Sequence, residues 1–341
     1  MKTTHSSIKT ILLAVVALTL SAAFARADTF DWENLQSDIH GVAEQFDQNV
    51  VNPWGMALSP SGNVWVNNNH TGVATVYYQD GTPFPNSSNP LVVNTASTSP
   101  TGIVSNTTSF FKVSNGTNLL PAKFIFVGED GIISGWNPQL SNNNAFVARP
   151  NGATAIYKGA TMGVSASHNF LYVTNFKSGQ VETYNENFNP AAGFPFVDPN
   201  LPTGYAPFGI RNFNGQIFVT FVPRSSTNPN DEQVGPGNGI VDIFRTNGQF
   251  VRRLVTGGRL NAPWGLAIVG GNLWVGNFGD GKINVYNPTN GNFLGTPKDI
   301  FGTPLQFEGL WDLVLTTNGL FFSAGIADES HGLFGVIFSV Y

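Results

Sequence analysis

One β unit recurs six times along this chain, and that repetition limits the fold more than any other property of the sequence. Each copy opens with a turn and a small residue followed by apolar residues. It then passes a short polar turn into an aromatic-rich strand and crosses a Gly/Asn/Asp turn into a third strand. The copies open at Asn52-Pro53-Trp54-Gly55, Pro100-Thr101-Gly102, Met162-Gly163-Val164, Pro207-Phe208-Gly209, Pro263-Trp264-Gly265 and Leu310-Trp311-Asp312. The corresponding positions Gly55, Gly102, Gly163, Gly209, Gly265 and Asp312 recur at roughly 50 residues, a period that suits about four short strands per unit. This predicts an all-β fold, a six-bladed β-propeller. A residue without a Cβ suits the point where each chain turns into the crowded innermost strand. No sustained 3.6-residue apolar pattern occurs beyond residues 1–27, so few helices are expected.

The two ends of the chain bear on how such a ring closes. Tyr341 follows directly on the third strand of unit six, which leaves that blade without an outer strand. Residues 28–51, with Trp32-Glu33-Asn34-Leu35-Gln36, precede the first unit. We therefore expect the N-terminal segment to pair with the last blade and remove its open edge, giving one domain over 28–341.

Composition narrows the function classes. Hydrophobic residues make up 41% of the chain and charged residues only 11%, enough for a large core. A net charge of −5 without a basic cluster argues against a nucleic-acid partner. The absence of cysteine removes disulfides, thiolate nucleophiles and zinc–thiolate sites. Residues 1–27 read as an export signal: Lys2 and Lys9 precede the apolar run Ile11 to Leu20, and Ala25-Arg26-Ala27 offers a cleavage site. The run is shorter than the roughly 20 residues a membrane span needs. The expectation is an exported protein, periplasmic or extracellular, monomeric and without stable membrane insertion.

Several tracts in order carry a resemblance: Val51-Asn52-Pro53-Trp54-Gly55, Glu129-Asp130-Gly131-Ile132-Ile133-Ser134-Gly135-Trp136-Asn137, Gly204-Tyr205-Ala206-Pro207-Phe208, and Ala324-Gly325-Ile326-Ala327-Asp328-Glu329 running into Gly332-Leu333-Phe334-Gly335. Through them the chain resembles a family of uncharacterised exported bacterial proteins of six-bladed propeller type, and more distantly the repeats of NHL propellers. The resemblance implies the fold and brings no catalytic residues with it.

In a propeller, the loops on one face gather round the axis, and that is where a site is expected. Reading the end of each second strand gives Asn68, Glu129, Asn175, Phe221, Asn277 and Ala324, mostly oxygen-bearing side chains. With Asp312 at the opening of unit six, this set suits a hard divalent cation such as calcium. The six-bladed lactonases hold an axial divalent ion with one Glu, two Asn and one Asp, and Glu129, Asn175, Asn277 and Asp312 are similar in kind. The other reading is structural, since Asn and Asp-Gly at strand ends are ordinary turn residues.

Other features fit the same face. His70 and His331 lie in matching turns of units one and six, where one imidazole could transfer a proton or join a metal; solvated or locally bonded histidines are the alternative. Trp54, Trp264 and Trp311 suit a stacking platform for a sugar, or else wedges between blades. The loop Pro223 to Asn238, with Arg224, Asp231 and Glu232, either covers the axial pocket or is a disordered insertion. No nucleophile elbow, phosphate loop or His-Glu-x-x-His stretch occurs. The leading expectation is binding of a small molecule, glycan or protein at the axial face, with Asn68 and the three tryptophans contributing. The alternative is a hydrolase, lactonase or lyase that uses a divalent metal at Glu129, Asn175, Asn277 and Asp312, with His70 and His331 as its catalytic residues.

Overall fold

The computed structural model describes residues 29–150 and 154–340; the expected export signal and Tyr341 lie outside the described residues. The strand-forming stretches are rich in Val, Ile, Phe, Trp and Tyr and are separated by Gly, Asn and Asp, and they pair with their sequence neighbours into six sheets. No α-helix occurs among the described residues. The innermost strands are Pro53–Leu58, Pro100–Ser105, Tyr157–Ser165, Tyr205–Phe213, Pro263–Val269 and Leu310–Thr316. Each packs against the next, and the sixth returns to the first, so the sheets form the blades of a six-bladed β-propeller.

Blades one, two, four and five are four-stranded antiparallel meanders. Blade six takes its outer strand from Thr29–Ser37, which runs antiparallel to Leu333–Val340 with Thr29 opposite Val340. Blade three has three strands, Tyr157–Ser165, His168–Asn175 and Gln180–Tyr184. Apolar clusters fill the spaces between neighbouring blades, as where Tyr172 and Val181 of blade three meet Ile210, Val219 and Phe244 of blade four.

The glycine at each inner-strand opening has a packing cause. A Cβ on Gly55 would lie 2.5 Å from the Thr101 carbonyl of blade two, and one on Gly265 would lie 2.5 Å from the Trp311 carbonyl of blade six. Buried hydroxyls and amides stitch the same ring: Asn67 donates to the carbonyls of Thr101 and Gly102, Thr101 Oγ1 to Tyr157 O at 2.8 Å, and Thr174 Oγ1 to Phe208 O at 2.7 Å. Each satisfies a carbonyl that an inner strand at the hub leaves unpaired.

The third repeat opens four residues earlier than the sequence pattern placed it. Tyr157 pairs with Asn175, as Pro53 pairs with Asn68, so Gly159 takes the place expected of Gly163. The cause is Lys158, a polar residue where four other blades carry Trp54, Phe208, Trp264 and Trp311. Matching on an aromatic or apolar residue before the glycine slid to Met162-Gly163.

Candidate functional site

The residues before the five ring glycines and before Asp312 of blade six occupy equivalent places at the hub, and these six are Trp54, Thr101, Lys158, Phe208, Trp264 and Trp311. The aromatics form a plug. Trp311 is sandwiched between Trp54 and Phe278 at centroid distances of 3.6 and 4.1 Å, with Trp264 and Phe208 edge-on. Trp311 Nε1 donates to Asn52 Oδ1 at 2.8 Å, and Trp264 Nε1 crosses the ring to Lys158 O at 3.1 Å. Trp54 Nε1 is buried without a partner. Trp54, Trp264 and Trp311 are thus buried hub packing, with no indole face open as a platform.

Lys158 puts a charge into this apolar ring. Its ammonium is 2.7 Å from Glu129 Oε1 and 3.6 Å from Glu232 Oε2, and it lies over the rings of Trp54, Phe176 and Phe208 at 5.0, 5.6 and 5.9 Å. Burial alone would push Lys158 toward neutrality, but Glu232 and Glu129 override it and raise its pKa. Burial opposes ionisation of Glu129 too, and there Lys158 prevails, holding the carboxyl below its usual range with help from Asn69 at 3.1 Å.

A third carboxyl faces this pair. Glu329 ends a turn in which Ala327, Asp328 and Glu329 all have left-handed φ angles of 54°, 53° and 63°, a conformation non-glycine residues rarely adopt in succession. Its Oε2 accepts from Asn52 Nδ2 at 2.7 Å. Burial, with Glu232 and Glu129 nearby, pushes the Glu329 carboxyl up to about 7, against the opposing pull of Asn52 and Lys158. The Pro223–Asn238 loop reaches the hub. It supplies Glu232, and Arg224 Nη2 donates to Phe176 O at 2.7 Å with its guanidinium 5.6 Å over the Phe176 ring.

Both histidines flank Asn52. His70 Nε2 is 3.4 Å from Asn52 Nδ2, and the His331 carbonyl accepts from Asn52 N at 3.3 Å. His70 is exposed, while His331 Nδ1 lies 2.6 Å from Asp38 Oδ2.

Of the oxygen set read from strand ends, three amides are engaged within their own blades. Asn68, Asn175 and Asn277 close their second strands and hold their own hairpins: Asn68 donates to Thr75 Oγ1 at 3.0 Å, Asn175 to Glu182 Oε1 at 2.6 Å, and Asn277 to Asp280 Oδ1 at 3.1 Å. The strand-end residue of blade two is Gly128, which pairs with Pro100. Glu129 therefore belongs one residue further along, with Asn69, Phe176, Phe278 and Gly325, and these residues form the inner rim of the mouth. Asp312 lies one residue deeper than Trp311. Its carboxylate accepts from the backbone N–H groups of Met56 and Leu313, both at 2.8 Å, and pairs with Arg211 from across the ring. Burial raises the Asp312 carboxyl even so, with Arg211 opposing. Among the described residues, no group of three or more His, Asp or Glu side chains is arranged to hold a metal ion. Nor is any helix among them long and apolar enough to cross a membrane.

Sequence reasoning missed Lys158, Asn52 and Glu329. Lys158 was legible as a buried-position lysine only once the repeat register was right, and Glu329 sits in a turn with no counterpart in the other repeats.

No family model matches the chain. It is 30% identical over 320 residues to the uncharacterized protein R648 of Acanthamoeba polyphaga mimivirus, a match that covers 89% of this chain and 78% of that one. Among solved structures it is similar to virginiamycin B lyase from Staphylococcus aureus, with a TM-score of 0.50 and 13% identity over 92% of this chain and 100% of the lyase. It is also similar to a gluconolactonase from Xanthomonas campestris, with a TM-score of 0.52 and 12% identity over 84% of this chain and 87% of that one. At such identities the structural likeness speaks for the fold alone.

Proposed function

The chain belongs to the family of the mimivirus protein R648, and from the charge balance of its hub we propose that it is a ligand-binding propeller whose axial mouth takes an organic cation. The observation that carries this reading is Glu329, a carboxyl shut into the mouth beside Glu129 and Glu232 with an amide as its hydrogen-bond partner. Lys158 is the one ammonium set among these three carboxyls. The surplus of carboxyl groups over ammonium supports this reading, since carboxylates favour an ammonium or guanidinium group. The loop bearing Glu232 would close over such a ligand.

The test is thermal stability and calorimetry with n-butylammonium and arginine methyl ester against matched sodium chloride at pH 8. Stabilisation by the organic cations beyond that of sodium, lost in Glu329→Gln, supports the reading. Equal responses of both proteins to all three salts refute it.

A second reading, proton transfer in a hydrolase or lyase type of reaction, is favoured by a Glu329 carboxyl that titrates near neutrality beside Asn52 and His70. A calcium-dependent form would require Glu129 to leave Lys158 and Asp312 to leave Arg211. Calcium chloride with EDTA reversal in the same assay tests it. Export to the periplasm or medium, expected from residues 1–27, belongs to this proposal and is checked by fractionating cells that make the tagged chain.

A further inference from the structure

We propose that the open edge of blade three is a docking slot for an extended peptide segment of another protein, one that carries an acidic side chain. In each of the other five blades the third strand is covered by a fourth, and three residues suffice in blades one and five, Val92–Asn94 and Phe293–Gly295. In blade three the chain returns to the strand Gln180–Tyr184 at a single bridge. There Asn185 N donates to Asn189 O at 2.9 Å and Ala191 N donates to Thr183 O at 2.8 Å. Beyond Ala191 the chain leaves the edge, and Phe196 packs against Tyr172 at 5.3 Å between blades three and four.

The bond to Thr183 O fixes which groups face outward. In an antiparallel ladder, alternate residues present both their N–H and C=O to the same side, so Val181 faces outward with Thr183. Val181 makes no outward backbone hydrogen bond among the described residues. Beside it lies a cavity of about 500 Å³ lined by Arg149, Gln180, Val181, Glu182, Thr183 and Gly193 among others. Thr183 is among the lining residues, and its hydroxyl is buried without a hydrogen-bond partner. The outward N–H and C=O of Val181 are groups that a passing backbone would satisfy.

The charges at the slot choose the partner. Glu182 is committed, since its carboxylate accepts from Asn175 at 2.6 Å, Tyr184 at 2.6 Å and Tyr157 at 2.9 Å. Arg149 stands 5.7 Å over the Tyr184 ring and has no ion-pair partner among the described residues. An aspartate or glutamate on the incoming strand would meet this guanidinium, while main-chain bonds to Val181 set its register.

Random heptapeptides displayed on phage and panned against the whole protein test the slot. We expect enrichment of alternating β-branched or aromatic sequences that contain Asp or Glu. Synthetic versions should lose about tenfold in affinity for Val181→Pro, several-fold for Arg149→Gln, and about tenfold on N-methylation at alternate amides. Val181→Pro removes an outward N–H, which an edge strand tolerates, and with it a buried side chain of the packing between blades three and four. If its melting temperature nevertheless collapses, the N-methyl series on the natural chain decides alone. Bound peptide should slow hydrogen exchange at Val181. No enrichment over uncoated wells, binding indifferent to every N-methyl position, or protection elsewhere overturns the proposal. Self-association lost in Val181→Pro would give the slot to a second copy and likewise overturn it.

Discussion

The ammonium of Lys158 and the carboxylate of Glu129 meet at 2.7 Å across the boundary between blades three and two, and they do so inside a ring that four aromatic side chains dominate. Neither charge is tolerable there alone, because an unpaired buried ion costs several kcal/mol. Together with Glu232 they make the hub an electrostatic joint, and the expected outcomes below follow from how that joint and its neighbours are balanced.

Lys158→Met keeps the volume and removes the cation. Glu232 is then a buried carboxylate, and Glu129 a partly buried one, without a counter-charge, and we expect a loss of about 3 kcal/mol at pH 7.5 in denaturant unfolding, since breaking a buried pair leaves one side uncompensated. Glu129 ionises easily in the parent because of Lys158. Without Lys158 burial is left to push that carboxyl up, so the deficit shrinks as pH falls.

Glu329→Gln separates a strained acid from its surroundings. The folded carboxyl titrates near 7 and the reference value is 4.5, so the folded chain holds a proton that the unfolded chain has released between those values. The parent should therefore lose stability as pH rises from 4.5 to 7 and level off above. The variant should lack this slope and exceed the parent by about 2 kcal/mol at pH 8, with no advantage at pH 4. Denaturant midpoints across pH read the difference, and a constant offset would contradict it.

A second raised acid lies away from the hub. Asp242 is fully buried on the third strand of blade four, its oxygens make no hydrogen bond, and Arg253 Nε is 3.5 Å away. Burial first, and then the negative charge of Asp198, push it up to about 8, with Arg253 opposing. Its raised value again means stability lost as pH climbs from about 4 to 8. Asp242→Asn should remove most of that loss and gain about 2–4 kcal/mol at pH 8.5, while matching the parent near pH 4. Thermal melts at the two pH values decide it.

Gly55→Ala drives a methyl to 2.5 Å from the Thr101 carbonyl of the next blade. The ring has no room to yield on one side, so we expect a loss of about 2–3 kcal/mol by denaturant unfolding. Gly295→Ala is the control, because nothing lies within 4 Å of its added carbon. Equal stability of the two variants would mean that the blades are not in contact at Gly55.

Six blades were legible from the turn, glycine and aromatic repeat because the same packing problem is solved six times with similar residues. What the repeat could not carry was register to a single residue. Lys158 broke the aromatic rule and moved the third opening to Gly163. The strand-end reading took Asn68 and Asn175 as facing the axis when the following residues, Asn69 and Phe176, do so. Glu129 entered the same list one place out of step, which is why it alone of the four expected metal ligands lies at the mouth. The loop Pro223–Asn238 stood out by its length and charge, with a cover and a disordered insertion as its two readings. The partner of its Glu232 was not legible, because Lys158 and Glu232 touch only in three dimensions.

The outer strand of blade six has a consequence for the order of manufacture. Thr29 bonds to Val340 across 311 residues of sequence, so the two halves of this seam leave the ribosome far apart in time. Until Leu333–Val340 emerges, the nascent form is a broken circle whose sixth blade lacks its third and outer strands. Closure of the toroid is thus timed by the meeting of two sequence-distant strands rather than by any single hairpin.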